Sequence, residues 1–202
     1  MDAPAAEAIW PNLPAGRCAR CLLRLEWCLC PDIPRLATRT RIVVVRAHAE
    51  RFRSSNTGRL AHLALINSAL CDVGGPGRRP LDLDEPEAWL LFPEGEPRTE
   101  APQPPPSTVI VIDGSWPAAR RMRQRLPGLQ GRRVLALAPT AAAERMRKAP
   151  TAMHVSTIEA IGGVLRLLGE PDAADGLDAL FAAAVDRQRR QGRQPHVTPV
   201  TP

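Results

Sequence analysis

Thr108-Val109-Ile110-Val111-Ile112 runs without a break into Asp113-Gly114-Ser115-Trp116, and the reading of this stretch decides the fold class. The β-branched run is the clearest strand in the chain, and the Asp-Gly pair gives it a turn to end on. A basic helix is predicted to follow from about 117 to 126. Working outward, Arg41 to Arg46 is a second β-branched run suited to a buried strand. Gly58 to Leu70 reads as a helix, with Leu60, Leu63, Ile66 and Leu70 spaced for one apolar face. Trp89 to Phe92 and Arg133 to Ala138 read as strands, 141–148 as a short helix, and Met153 to Val155 as a last short strand. Residues 93–107, dense in Pro and Glu, read as a surface loop. Ser156-Thr157-Ile158-Glu159 has the form of a capping box opening a helix to about Leu168, and a further helix runs from Asp172 to about Gln191. Strands alternating with helices predict an α/β domain with a mostly parallel sheet.

The chain has 202 residues, enough for one domain with a proper core and small appendages. Hydrophobic residues make up 44% but aromatics only 3%, with no tyrosine, so Leu, Val, Ile and Ala must build the interior. Net charge is +6 and the sequence pI is about 9.9. Lys148 is the single lysine, so the positive charge is nearly all arginine. A basic surface suits a polyanion such as nucleic acid, although a bias toward Ala, Arg and Pro gives the same pI. No apolar run of about 18 residues is present, which argues against a membrane span. Met1 to Ala15 lacks an apolar signal core, which points to the cytoplasm. Residues 1–16 and 191–202 are expected to be a disordered N-terminus and a flexible tail.

Cys18, Cys21, Cys28 and Cys30 form a Cys-x2-Cys-x6-Cys-x-Cys cluster. In a reducing compartment, clustered cysteines read as metal ligands before disulfides. Four thiolates close a tetrahedral Zn²⁺ site with no open position, hence a structural one. This predicts a small zinc knuckle over 17–35. An iron–sulfur cluster usually takes other spacings. Cys71, in another segment, reads as a small buried side chain.

Open α/β sheets bind ligands beyond the carboxyl ends of their strands. Three polar segments fall there: His48 to Gly58, Asp113 to Trp116, and Ser156 to Ala160. Local roles alone would account for each, since Asn56 and Thr57 can cap a helix, Glu159 can complete its capping box, and Asp113 can simply end a strand. Together with the cysteines, the ordered set resembles the DTW-domain family of tRNA-uridine aminocarboxypropyltransferases. The resemblance spans roughly 17–185. It rests on the Cys-x2-Cys…Cys-x-Cys opening, Ser55-Asn56-Thr57-Gly58-Arg59-Leu60, and Val155-Ser156-Thr157-Ile158-Glu159-Ala160. Asp113-Gly114-Ser115-Trp116 matches the Asp-x-Thr-Trp motif with Ser for Thr. The family's tyrosine-containing segment has no tyrosine here, at 140–147.

The resemblance implies a catalytic domain over 36–190, related to the SPOUT fold with a C-terminal knot. It implies transfer of the 3-amino-3-carboxypropyl group of S-adenosylmethionine to N3 of a tRNA uridine. Loops near 113–116, 138–140 and 155–160 should then converge on the cofactor, making Ala138, Pro139, Ser156, Thr157 and Glu159 candidate contacts. Asn56, Thr57 and Gly58, at a helix start, would offer backbone N–H groups to an anion. Asp113 is the candidate base or, equally, a positioning group. Ser115 supplies a hydroxyl, and Trp116 offers either a stacking face for an unpaired base or a core anchor. Arg46, Arg51, Arg53, Arg120, Arg121, Arg123 and Arg125 flank these motifs and would track the RNA backbone. SPOUT-type enzymes are often dimers, so a homodimer is a further expectation. Competing readings are a methyltransferase of the same fold and a zinc-containing RNA-binding module without catalysis.

Overall fold

The computed structural model describes residues 13, 15–75, 83, 85–138 and 155–191. Among these residues six strands form one sheet: β1 (Arg41–Ala47), β2 (Ser68–Val73), β3 (Trp89–Leu91), β4 (Pro97–Arg98), β5 (Thr108–Asp113) and β6 (Val134–Leu137). Their order is β2-β1-β5-β3-β6-β4, and every pairing is parallel. The opening stretch is therefore central, with β5 lying between β1 and β3. Both neighbours and both faces of β5 are covered, which is why its apolar run is nearly continuous. Val109 and Ile110 are each 0% exposed.

Among the described residues four α-helices flank the sheet: α1 (Thr57–Ala64), α2 (Trp116–Arg125), α3 (Thr157–Leu167) and α4 (Pro171–Arg190). The period-2 alternation of the strands divides the core into two layers. Ile42, Val44, Val109, Val111, Leu91 and Leu135 face α1, α3 and α4, and Cys21, Leu23 and Leu29 of the cysteine segment join that same layer. Val43, Val45, Ile110, Leu90 and Phe92 face the other way, toward Ala119 and Met122 of α2.

The predicted helix from Gly58 to Leu70 is corrected. It ends at Ala64, Leu65 turns to extended backbone, and Leu70 and Cys71 belong to strand β2. Ile66, assigned to the apolar face, is 55% exposed. Strand pairing of Ser68–Val73 with β1 overrides a spacing that fitted 3.6 residues per turn by coincidence. Cys71 is half-buried on that strand. The loop after β3 holds the two-residue β4. The helix predicted at 141–148 lies outside the described residues, as do most of the strand predicted at 153–155, most of both termini and the segment that a C-terminal knot would use.

Candidate active site

Asp113 ends β5 and is 4% exposed. Asn56 Nδ2 donates to its Oδ2 at 2.5 Å, and Thr157 Oγ1 donates to its Oδ1 at 2.7 Å. One carboxylate thus ties together the starts of α1 and α3, which lie 57 and 44 positions away from it in the chain. Each helix start is also capped on its own account. Asn56 Oδ1 accepts from Arg59 N at 2.9 Å. Ser156 and Glu159 form the reciprocal capping box, with Ser156 N donating to Glu159 Oε2 at 2.7 Å. Gly58 is required by this geometry: a Cβ there would sit 2.7 Å from Asp113 Cγ and 2.8 Å from Oδ2. The three sequence segments therefore meet at the carboxyl ends of the strands.

A row of charges lies beneath the clamp. Arg46 of β1 is in register with Asp72 of β2 on one side and Asp113 of β5 on the other. Arg46 and Asp113 lie two residues past Val44 and Val111, so they share the face of the sheet toward α1. Arg46 is 2% exposed and donates from Nε to Asp72 Oδ1 at 2.6 Å. Its expected role on the RNA backbone does not match this position: Arg46 is inside the protein, paired to an acid. Arg59 of α1 is a second buried guanidinium, 4% exposed, bonded to the Arg51 carbonyl. Burial, then the Arg46 charge, lower its pKa to about 10, while Asp72, Asp113 and Cys21 oppose the shift. Burial raises the Asp113 pKa, and the bonds from Thr157 and Asn56 and the Arg46 charge pull it back.

Ser115 is exposed at the N-cap of α2, and Trp116 is half-buried in its first turn. Arg120, Arg121 and Arg125 are exposed along α2. Arg123 is bonded to Glu94 and lies 5.0 Å over the Phe92 ring. Arg53 pairs with Glu50 at 3.5 Å, and Arg51 sits 4.8 Å over Phe52. Ala138 is exposed at the end of β6; Pro139 lies outside the described residues.

The four cysteine Sγ atoms of Cys18, Cys21, Cys28 and Cys30 lie within 4.8 Å of one another. Cys18–Cys30 are 3.6 Å apart and Cys21–Cys28 3.9 Å. Tetrahedral zinc at about 2.3 Å from each sulfur needs sulfurs roughly 3.8 Å apart, so the donor set fits. Leu22, at φ 63, turns the chain directly after Cys21. At Cys18 burial raises the thiol pKa, but backbone bonds from Cys21 and Arg20 and the neighbouring thiols outweigh it, bringing it to about 7. Burial pushes Cys21 and Cys30 up, a bias that a bound cation reverses.

Residues 15–189 match the family model of the DTW domain. The chain belongs to the DTW-domain family. A Drosophila melanogaster protein named tRNA-uridine aminocarboxypropyltransferase 2 is 29% identical to it over 168 residues, covering 76% of this chain. The match spans 66% of that relative, just under two thirds of its length. No solved structure matches the chain. The DTW match takes in the clamp, the charge row and the cysteine cluster alike. Reading the sequence missed Asp72, Glu50 and the burial of Arg59. Arg46, a charge that follows four consecutive apolar residues of β1, was the available signal that an acid lies beside it.

Proposed function

We propose that this DTW-domain protein is a transferase that carries the 3-amino-3-carboxypropyl group of S-adenosylmethionine to N3 of a tRNA uridine. The observation that carries the reading is the convergence of Asn56, Gly58, Asp113 and Thr157 at the carboxyl ends of β1 and β5. The name of the Drosophila relative suggests the reaction type. In that reaction N3 attacks the carbon next to the sulfonium, the carbon–sulfur bond breaks with its pair on sulfur, and the N3 proton leaves to solvent.

Asp113 acts as a positioning group. Both of its oxygens already accept bonds from the chain, and the side chain is shut away from solvent. Its clamp holds the starts of α1 and α3 so that Thr57, Ser156 and their neighbours form one rim for the donor. Ser115, exposed, and Trp116, half-buried, follow Asp113 at the start of α2, where the indole can stack on an extruded uracil. Exposed Arg120, Arg121 and Arg125 lead away from it along α2 and suit a phosphate backbone. The cysteine cluster would hold a structural zinc ion.

The test is direct. The purified protein is incubated with S-adenosylmethionine and unmodified tRNA, and the digested nucleosides are weighed by mass spectrometry. A uridine heavier by one aminocarboxypropyl group is expected. A methyl-sized gain would replace this reading with a methyltransferase, and tight tRNA binding with no gain would leave an RNA-binding module.

A further inference from the structure

Withdrawing a guanidinium from water is costly, and apolar residues of similar volume usually fill such a space with no loss of stability. Arg46 is nevertheless 2% exposed, and a structural pair with Asp72 does not exhaust it. Its Nε serves Asp72, while Nη1 has no hydrogen-bond partner among the described residues. Its other in-register neighbour is Asp113, one strand spacing away, about 4.8 Å. Asp113 in turn receives two donors at once, the Asn56 amide and the Thr157 hydroxyl. An ionised carboxylate accepts on both oxygens, whereas a protonated one places a competing donor on one of them. Burial alone favours the protonated form.

We propose that Arg46, held in place by Asp72, is the positioning residue that keeps the Asp113 carboxylate ionised and so keeps the Asn56–Asp113–Thr157 clamp closed. This deepens the transferase reading and rests on it only for the effect on transfer; the charge state is measurable without activity. The charged groups around Asp113 come from several elements. Arg46 belongs to β1, with Asp72 of β2 behind it, and Arg59 reaches in from α1. Glu50, in the turn after β1, opposes ionisation and is itself paired with Arg53. On α3 the Thr157 hydroxyl makes the contact, while the Glu159 carboxylate accepts from the Ser156 backbone. Among these, Arg46 shares both the register and the face of Asp113.

The experiment labels the full chain with ¹³C-aspartate and identifies the Asp113 Cγ resonance by its loss in Asp113→Asn. That resonance is titrated in the wild type, Arg46→Met and Arg46→Lys. Asp113 should be ionised at neutral pH in the wild type. Its midpoint should rise by at least about one pH unit, a tenfold change in the proton equilibrium, in Arg46→Met, and return toward the wild-type value in Arg46→Lys. Should Arg46→Met fail to fold, Arg46→Gln removes the same charge and reads the same shift. An Asp113 already neutral at neutral pH in the wild type, or a midpoint indifferent to loss of the Arg46 charge, overturns the proposal. The pH profile of transfer to tRNA, followed in parallel, should lose its low-pH side in Arg46→Met and recover as pH rises. A midpoint that moves in a protein that transfers nothing refutes the transferase reading and leaves the role of Arg46 standing.

Discussion

At the scale of single residues, the site depends on atoms that are absent as much as on those present. Gly58→Ala would press a methyl onto the Asp113 carboxylate, at distances no packed Cβ tolerates. Overpacking of this kind costs about 1–3 kcal/mol, so a matching fall in denaturant stability is expected, with weaker donor binding by calorimetry. Asp113→Asn keeps the shape but turns an amide N–H₂ toward either Asn56 Nδ2 or the Thr157 hydroxyl. A positioning role predicts that donor affinity and turnover fall together; turnover falling alone, with affinity intact, would instead mark Asp113 as the base. His62 supplies a pH dependence of stability. Its Nδ1 lies 2.9 Å from Ser68 Oγ, and burial, then the Arg46 charge, lower its pKa. As pH falls, the unfolded chain therefore takes up the proton first, at about 6.5. Stability from neutral His62 is present above that value and is lost as pH falls through the folded-state pKa. Urea unfolding at several pH values should show this slope in the wild type and a flatter one in His62→Gln.

At the scale of elements, what could be read from the sequence depended on whether a segment carried its own signal. The start of α3 did: Ser156 and Glu159 spell a capping box, and both of its bonds are present. Ser156→Ala should cost about 1 kcal/mol, seen as a lowered melting temperature. The strands β1 and β5 were equally plain, because burial on both faces demands uninterrupted apolar residues. Strand β2 was not. Ser68-Ala69-Leu70-Cys71-Asp72-Val73 holds one β-branched residue, and its extended form comes from pairing with β1 rather than from local preference. The same gap hid Asp72, and with it the reason an arginine can close β1. The strand-end rule put the segments of Asn56, Asp113 and Thr157 at the carboxyl ends of the sheet, but nothing in the sequence tied the three side chains to one another. No spacing rule brings positions so far apart onto one carboxylate; the order of strands does.

At the scale of the whole molecule, the cysteine segment is part of the main core. Cys21, Leu23 and Leu29 pack with α1, α3 and α4. Arg187 of α4 reaches Asp32 at 2.5 Å, and Leu36 fills the notch at Gly176, where a Cβ would meet it at 2.6 Å. Loss of the proposed zinc ion should therefore be felt well beyond residues 17–35. The purified protein is expected to hold one zinc per chain by elemental analysis. Chelation or Cys21→Ser should cost on the order of 4 kcal/mol or more and raise hydrogen exchange in α1 and α4. Exchange confined to 17–35 would contradict this coupling.

The position of β5 also sets a timetable. During synthesis β1, β2 and β3 leave the ribosome before the strand that must slide between β1 and β3, and Thr157 emerges later still. Contacts so distant along the chain form slowly and late. A nascent chain therefore has no closed clamp until Thr157 has been made and can fold back onto the end of β5.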